Sequence, residues 1–276
     1  MKNTKLAAVG LFLSLFASTA IAGKGGGASK IQSAIQSRSV DAIIAEVERA
    51  EGLNCGDCVQ LITNLTEDDR YEVREVAAWW FAKRPAMAKM LAEGFVQDLG
   101  NGGSLAVRNA ADFLGATITF TSLPQLRTAI TRTDLNADAK IALVRAVKTM
   151  AHIDGNFVLL TAMGDADAKV RATAANAWRE IRGQTSASPV VSLLADSDAT
   201  VRAEAATVVG AMLDATARVS LEGLVAHDAD AIVRRNAAWA LGKLGSAASR
   251  DVLYAASSDS SGLVRMVAKA ALASLR

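Results

Sequence analysis

Two cysteines in 276 residues cannot build a disulfide scaffold, and three prolines leave no room for a collagenous or proline-rich chain. The 20 glycines are an ordinary share. Aromatic residues are scarce at 5%, yet 51% of the chain is hydrophobic, too much for a disordered tail. Charge of one sign is missing as well. The 30 Lys and Arg against 28 Asp and Glu give a formal +2, which counts against a generic nucleic-acid binder with its basic face. What remains is a globular, helical chain long enough for a substantial core.

No run of apolar residues is long enough to span a membrane. The longest, Leu6 to Ala17, is shorter than the ~20 residues a spanning helix needs, and Ser14, Ser18 and Thr19 dilute its surroundings. It follows Lys2 and Lys5 and precedes Ala20-Ile21-Ala22, a small-x-small site, so the three parts of a secretory signal are in place. Cleavage after Ala22 is expected. Residues 1–22 are read as signal peptide, 23–38 as a glycine-rich flexible leader and 39–276 as the folded array. Loss of the two lysines leaves 28 bases and 28 acids. The mature chain is expected in the periplasm or outside the cell, in an oxidising compartment, with no membrane span.

One pattern recurs through the array. It runs Asp165-Ala-Asp-Ala-Lys-Val170-Arg171-Ala-Thr-Ala174-Ala175, then from Asp196 to Ala206, from Asp228 to Ala238 and from Asp259 to Ala268. An earlier copy runs from Asp68 to Ala78. The valines Val170, Val201, Val233 and Val264 stand 31, 32 and 31 residues apart. Between Val73 and Val170 there is room for two degraded copies, one around Val107-Arg108 and one beginning Asp138-Ala-Lys-Ile141. Counting the valine as position 0, apolar residues fall at 0, +4, +7 and +8, one stripe of a helix. The Asp three residues earlier (Asp167, Asp198, Asp230) is placed to cap it. A shorter apolar helix precedes each copy, and so short a pair must stack on its neighbours to bury its apolar face.

The recurring D-x-x-x-x-V-R-x-x-A-A signature, followed by Leu241-Gly242 in its best copy, resembles the HEAT-repeat family, in particular the short HEAT-like repeats also found in phycobilisome linker lyases. The resemblance covers roughly Val40 to Arg276 and implies an all-α solenoid of about seven stacked helical pairs, a HEAT-like superhelix. It further implies that the Asp five before each valine (Asp68, Asp165, Asp196, Asp228, Asp259) and the Arg after it (Arg74, Arg171, Arg202, Arg234, Arg265) form a structural ladder within and between repeats. An arginine with five donors suits that work, and the ladder is preferred over a charged binding groove.

If the second helices line the concave wall, as the resemblance implies, position +6 lies about 120° from the apolar stripe. That row reads Trp79, Asn176, Thr207, Trp239 and Ala270. Exposed aromatics rimmed by polar groups mark interfaces, so Trp79 and Trp239 are candidate anchors for a protein or peptide partner, with Glu75 and Arg235 at position +2 beside them.

Cys55-Gly-Asp-Cys58 is the remaining motif. Val59 follows where haem attachment needs His, and His152 and His227 are too far apart in sequence to complete a zinc site. A structural disulfide is expected; a thiol-redox pair, with Asn54 capping a helix start, is the alternative. No nucleophile elbow, phosphate loop, zincin helix or paired-carboxylate motif is present, and Gly100-Asn-Gly-Gly103 reads as an interhelical turn. The expected function is a non-enzymatic binding or scaffolding module of the cell envelope or exterior, with no cofactor, metal or nucleic acid. The rival is a cofactor-handling or lyase-like enzyme on the same scaffold.

Overall fold

Aspartates set where the second helices begin. In the computed structural model, which describes residues 26–275, the carboxylates of Asp167, Asp198 and Asp230 each accept the amide N–H groups two and three residues on, at 2.6 to 3.3 Å. These are donors that a helix start would otherwise leave open. The described residues form α-helices joined by turns and short 3-10 segments, with no strand among them. They divide into two compact units, the break falling between Met150 and Ala151.

In the first unit α1 (Gly27–Ser37) packs on α2 (Val40–Arg49), α3 (Gly56–Leu65) on α4 (Tyr71–Ala82), α5 (Pro85–Asn101) on α6 (Ser104–Ala116) and α7 (Leu123–Ala129) on α8 (Ala137–Met150). The second helices α2, α4, α6 and α8 stack in that order. In the second unit α9 (Asn156–Met163) precedes α10 (Ala168–Trp178), α11 (Ser188–Val191) with a 3-10 turn precedes α12 (Ala199–Ala211), α13 (Arg218–His227) precedes α14 (Ala231–Leu244), and α15 (Arg250–Ala256) precedes α16 (Gly262–Ser274). There α10, α12, α14 and α16 stack in order. The fold is an all-α repeat fold.

The described residues hold eight pairs, one more than the seven read from the signature. The additional pair is α1 with α2, and α1 occupies most of the expected flexible leader. Its Ile31 is fully buried, as are Ile43 and Val47 of α2, so apolar burial orders a segment whose glycines alone predicted flexibility. The expected signal peptide and residues 23–25 lie outside the described residues.

The copy expected to begin at Asp138, with Ile141 in the valine position, sits in another register: Asn136 caps α8, accepting the N–H of Ala139 at 3.0 Å. Position 0 of that copy is therefore Ala139, fully buried, and Ile141 lies off the stripe. The spacing to Val170 then becomes 31, matching the later copies. In addition, α5 continues through Gly100 and Asn101, so the turn begins only at Gly102.

The units are packed differently. Buried Trp80, Phe81, Phe95 and Phe113 form a ring cluster in the first, the last two stacked at 4.4 Å. In the second, alanines at +4 and +5 are wholly buried; close approach of the second helices is common to both units, a methyl on Gly115 of the first lying 2.7 Å from Ala146. A methyl built on Gly210 would lie 2.7 Å from Ala240, and one on Gly242 2.8 Å from Ala271. Only glycine permits that approach.

Candidate protein-binding face

Four arginines of the second unit share one posture. Arg171 Nη1 donates to the carbonyls of Asp165 and Ala166 in its own turn at 2.9 and 3.0 Å. Its Nε and Nη2 donate to the two carboxylate oxygens of Asp196, one repeat on, at 2.8 and 2.7 Å. Arg202 repeats this on Asp196 O, Ser197 O and Asp228, and Arg234 on Asp228 O, Ala229 O and Asp259. Arg265 holds Asp259 O and Ser260 O. Each receiving aspartate also accepts the N–H two residues on, closing its own turn, and Asp165 accepts that of Asp167.

These contacts shift titration. The Arg171 guanidinium holds the Asp196 carboxyl below the usual carboxylate range, and Arg234 does the same to Asp259. Burial is the largest influence on Asp228 and pushes its carboxyl up, but Arg202 and the Asp230 N–H outweigh it and the net direction is down.

The first unit solves the same problem by another route. Arg74 Nη1 holds the carbonyls of Asp68 and Asp69 as the pattern predicts, at 2.7 and 2.9 Å. Gly102, however, stands where the next repeat would present its aspartate. The carboxylate comes instead from Asp112 inside α6, whose Oδ2 receives Arg74 Nη2 at 2.7 Å and whose Oδ1 receives Arg145 Nη2 at 2.7 Å. Arg74 and Asp112 are 3% and 2% exposed, so this pair is buried where the ladder pairs are only partly so. Arg145 also covers the Tyr71 ring at 3.9 Å, and the Tyr71 hydroxyl donates to Glu75 at 3.0 Å. Burial, then the Glu75 charge, push Tyr71 up to about 12. A cavity of about 30 Å³ beside these groups has room for a single water, not a substrate. Asp68 binds Arg70 of its own turn, which lowers its carboxyl.

Asp112 and Arg145 were not singled out from the sequence. Arg145 follows Val144 as the signature's arginine follows its valine, a weak signal obscured by the register slip.

The anchor residues fall two in each unit. Trp239 on α14 is 37% exposed, its ring against the Cα side of Gly210 one repeat earlier, with Lys243 Nζ 5.9 Å from the ring centre. Trp79 on α4 is half-buried, with Lys83 Nζ at 5.6 Å. Glu75 is exposed but tied to Tyr71. Arg235 is half-buried and clamps Asn236 Oδ1, while Asn236 Nδ2 donates to Ala203 O and Thr207 Oγ1 of the preceding repeat. Trp80 and Trp178 are core.

Cys55 and Cys58 are joined as a disulfide at the start of α3. Cys55 itself, not Asn54, is the cap: its Sγ accepts the Cys58 N–H at 3.2 Å. A methyl on Gly27 would lie 3.0 Å from both sulfurs, so the first residue of α1 rests on the bridge. Among the described residues no group of three or more His, Cys, Asp and Glu is arranged to hold a metal, and no helix is long and apolar enough to cross a membrane.

The family model for HEAT repeats matches residues 156–235 and 187–273. The second half of the chain is built of HEAT repeats. An Escherichia coli protein, YibA, shares 15% identity and superposes with a TM-score of 0.57 over 98% of this chain and 97% of its own. An engineered protein with 20% identity reaches 0.51 over 91% and 78%. Both likenesses concern fold alone. The complex of CpcE and CpcF of phycocyanin lyase from Nostoc sp. matches at 16% identity over 94% and 98%, with a TM-score of 0.38, too low to bear on function. No curated protein matches the sequence. The HEAT repeats named by the family model are those with the regular Arg–Asp ladder, and the first unit, with its rerouted pair and aromatic core, falls outside the match.

Proposed function

We propose that this HEAT-repeat scaffold is an exported, non-enzymatic binding module that takes a protein or peptide on the exposed face of its second helices. The observation that carries the reading is Trp239, a large ring left 37% exposed on a helix whose charged neighbours are engaged in holding repeats together. Truncating such an aromatic anchor costs binding without costing the fold. Trp79 with Lys83 is the weaker counterpart in the first unit. Export rests on the N-terminal sequence pattern and on the cysteine pair, since disulfides persist in oxidising compartments.

Affinity capture from cell-envelope extracts, comparing wild type with Trp239→Ala, tests the reading. Loss of a captured protein at unchanged melting temperature supports it, and identical capture overturns it. A second reading, thiol–disulfide exchange, is favoured by the position of Cys55 at a helix start, where a thiolate would be stabilised. Turnover of a dithiol substrate, abolished in Cys55→Ser, would establish it.

A further inference from the structure

The α16 repeat departs from the others at the positions another repeat would cover. Position +5 is Ala175, Ala206 and Ala238 in the preceding copies, each fully buried, but Lys269, exposed, on α16. Position +9 is Gly210 and Gly242, which admit the next helix, in two of the three preceding copies and exposed Arg179 in the other, and is Ala273, exposed, on α16. Position +2 is Ala172 and Ala203, 7% and 6% exposed, and half-buried Arg235, but Met266, 61% exposed. A lysine at +5 cannot be covered as the wholly buried alanines of the preceding copies are, so this face is not built for the same packing.

Arg265 nevertheless keeps the posture of its counterparts, with Nη1 on Asp259 O and Ser260 O at 2.7 and 3.0 Å. In Arg171, Arg202 and Arg234 this posture aims Nε and Nη2 at a carboxylate one repeat on. The same edge of Arg265 meets no carboxylate among the described residues. Lys269 lies one turn along the same face. On the paired helix Tyr254 is 73% exposed, at the position where Glu222 of the preceding copy accepts from Ser249 of the next repeat.

We propose that this face docks an acidic segment of a partner protein, Arg265 taking one carboxylate through both nitrogens, Lys269 a second, and an apolar residue lying against Met266 and Tyr254. The preset fork matches a planar carboxylate, and the apolar surround matches a peptide. The face is separate from the Trp239 surface, so either can fail without the other.

Fluorescence anisotropy with a short labelled peptide of Asp, Glu and Leu, and its Asn, Gln, Leu counterpart, tests the proposal. Saturable binding of the acidic peptide alone is expected, weakened by salt and reduced about tenfold or more by Arg265→Ala and by Lys269→Ala, the size of a lost charged hydrogen bond. Lys269→Ala restores the residue type of the preceding copies, so its fold is retained if Arg265→Ala disturbs its own turn. Equal binding of the amide peptide, undiminished binding by both variants, or no saturation overturns the proposal. So does a concentration-dependent dimer abolished by the same variants, which would assign the face to a second copy of this chain.

Discussion

The two units fasten their repeats with the same residue types in different places. In the second unit the carboxylate sits in a turn and the pair is repeated three times, so each contact is modest and the array is regular. In the first unit the turn has lost its aspartate to Gly102, and a single buried carboxylate within a helix, Asp112, serves two arginines, Arg74 out of water and Arg145 at its edge. A repeated surface fastener tolerates loss of one member; a shared buried one does not.

The largest test of that difference is Asp112→Ala, which leaves the buried Arg74 charge without a carboxylate. It should cost about 3–5 kcal/mol in urea denaturation, against about 1–3 kcal/mol for Asp228→Ala, whose arginine can reach water. Equal losses would erase the distinction. Next is the close packing of second helices that both units share. Gly210→Ala should cost about 1–3 kcal/mol by overpacking against Ala240. Gly223→Ala, with nothing within 4 Å of its new methyl, should instead gain about 0.4–1 kcal/mol. Thermal melts of both variants decide it.

Acid gives a smaller effect that separates the units. The folded carboxyls of Asp196, Asp228 and Asp259 lie below the ordinary 3.8, so the unfolded chain takes up protons first as pH falls. Their stabilisation is complete well above that value and is lost as pH drops from it through the lower folded values. The first unit has this shift at Asp68 and, through Arg132, at Asp134, both on pairs within a single turn. Trp fluorescence in variants keeping only Trp178 and Trp239, or only Trp79 and Trp80, should show the second unit losing more stability between neutral pH and pH ~3. Equal loss would count against the ladder's role there.

The regular half of the fold was legible because its fasteners are local in sequence: Asp, Val and Arg recur at fixed spacing, and the cap three residues before the valine follows from helix chemistry. The first half hid for two reasons. Asp112 meets Arg74 across 38 residues, a pairing no periodicity announces, and α1 is ordered by Ile31 reaching a pocket built by other helices. Trp239 was legible as an outward position, whereas Trp79 is partly covered and Arg235 is drawn into an inter-repeat network. The cleft of about 410 Å³ between α5 and the turn at Ile118 left no mark in the repeat signature, because Pro85, Ala88, Lys89, Ala92, Glu93 and Val96 line it from one face of a first helix and the signature marks only second helices.

The most direct measurement of whether the charged rows hold the protein to itself, leaving the aromatic face for a partner, is a double-mutant cycle on Arg202 and Asp228. Urea denaturation of Arg202→Ala, Asp228→Ala and the double variant should yield a coupling of about 1–3 kcal/mol. Coupling within about 0.3 kcal/mol of zero would show that the pair does not fasten the repeats, and the charged rows would then stand as candidate binding residues themselves.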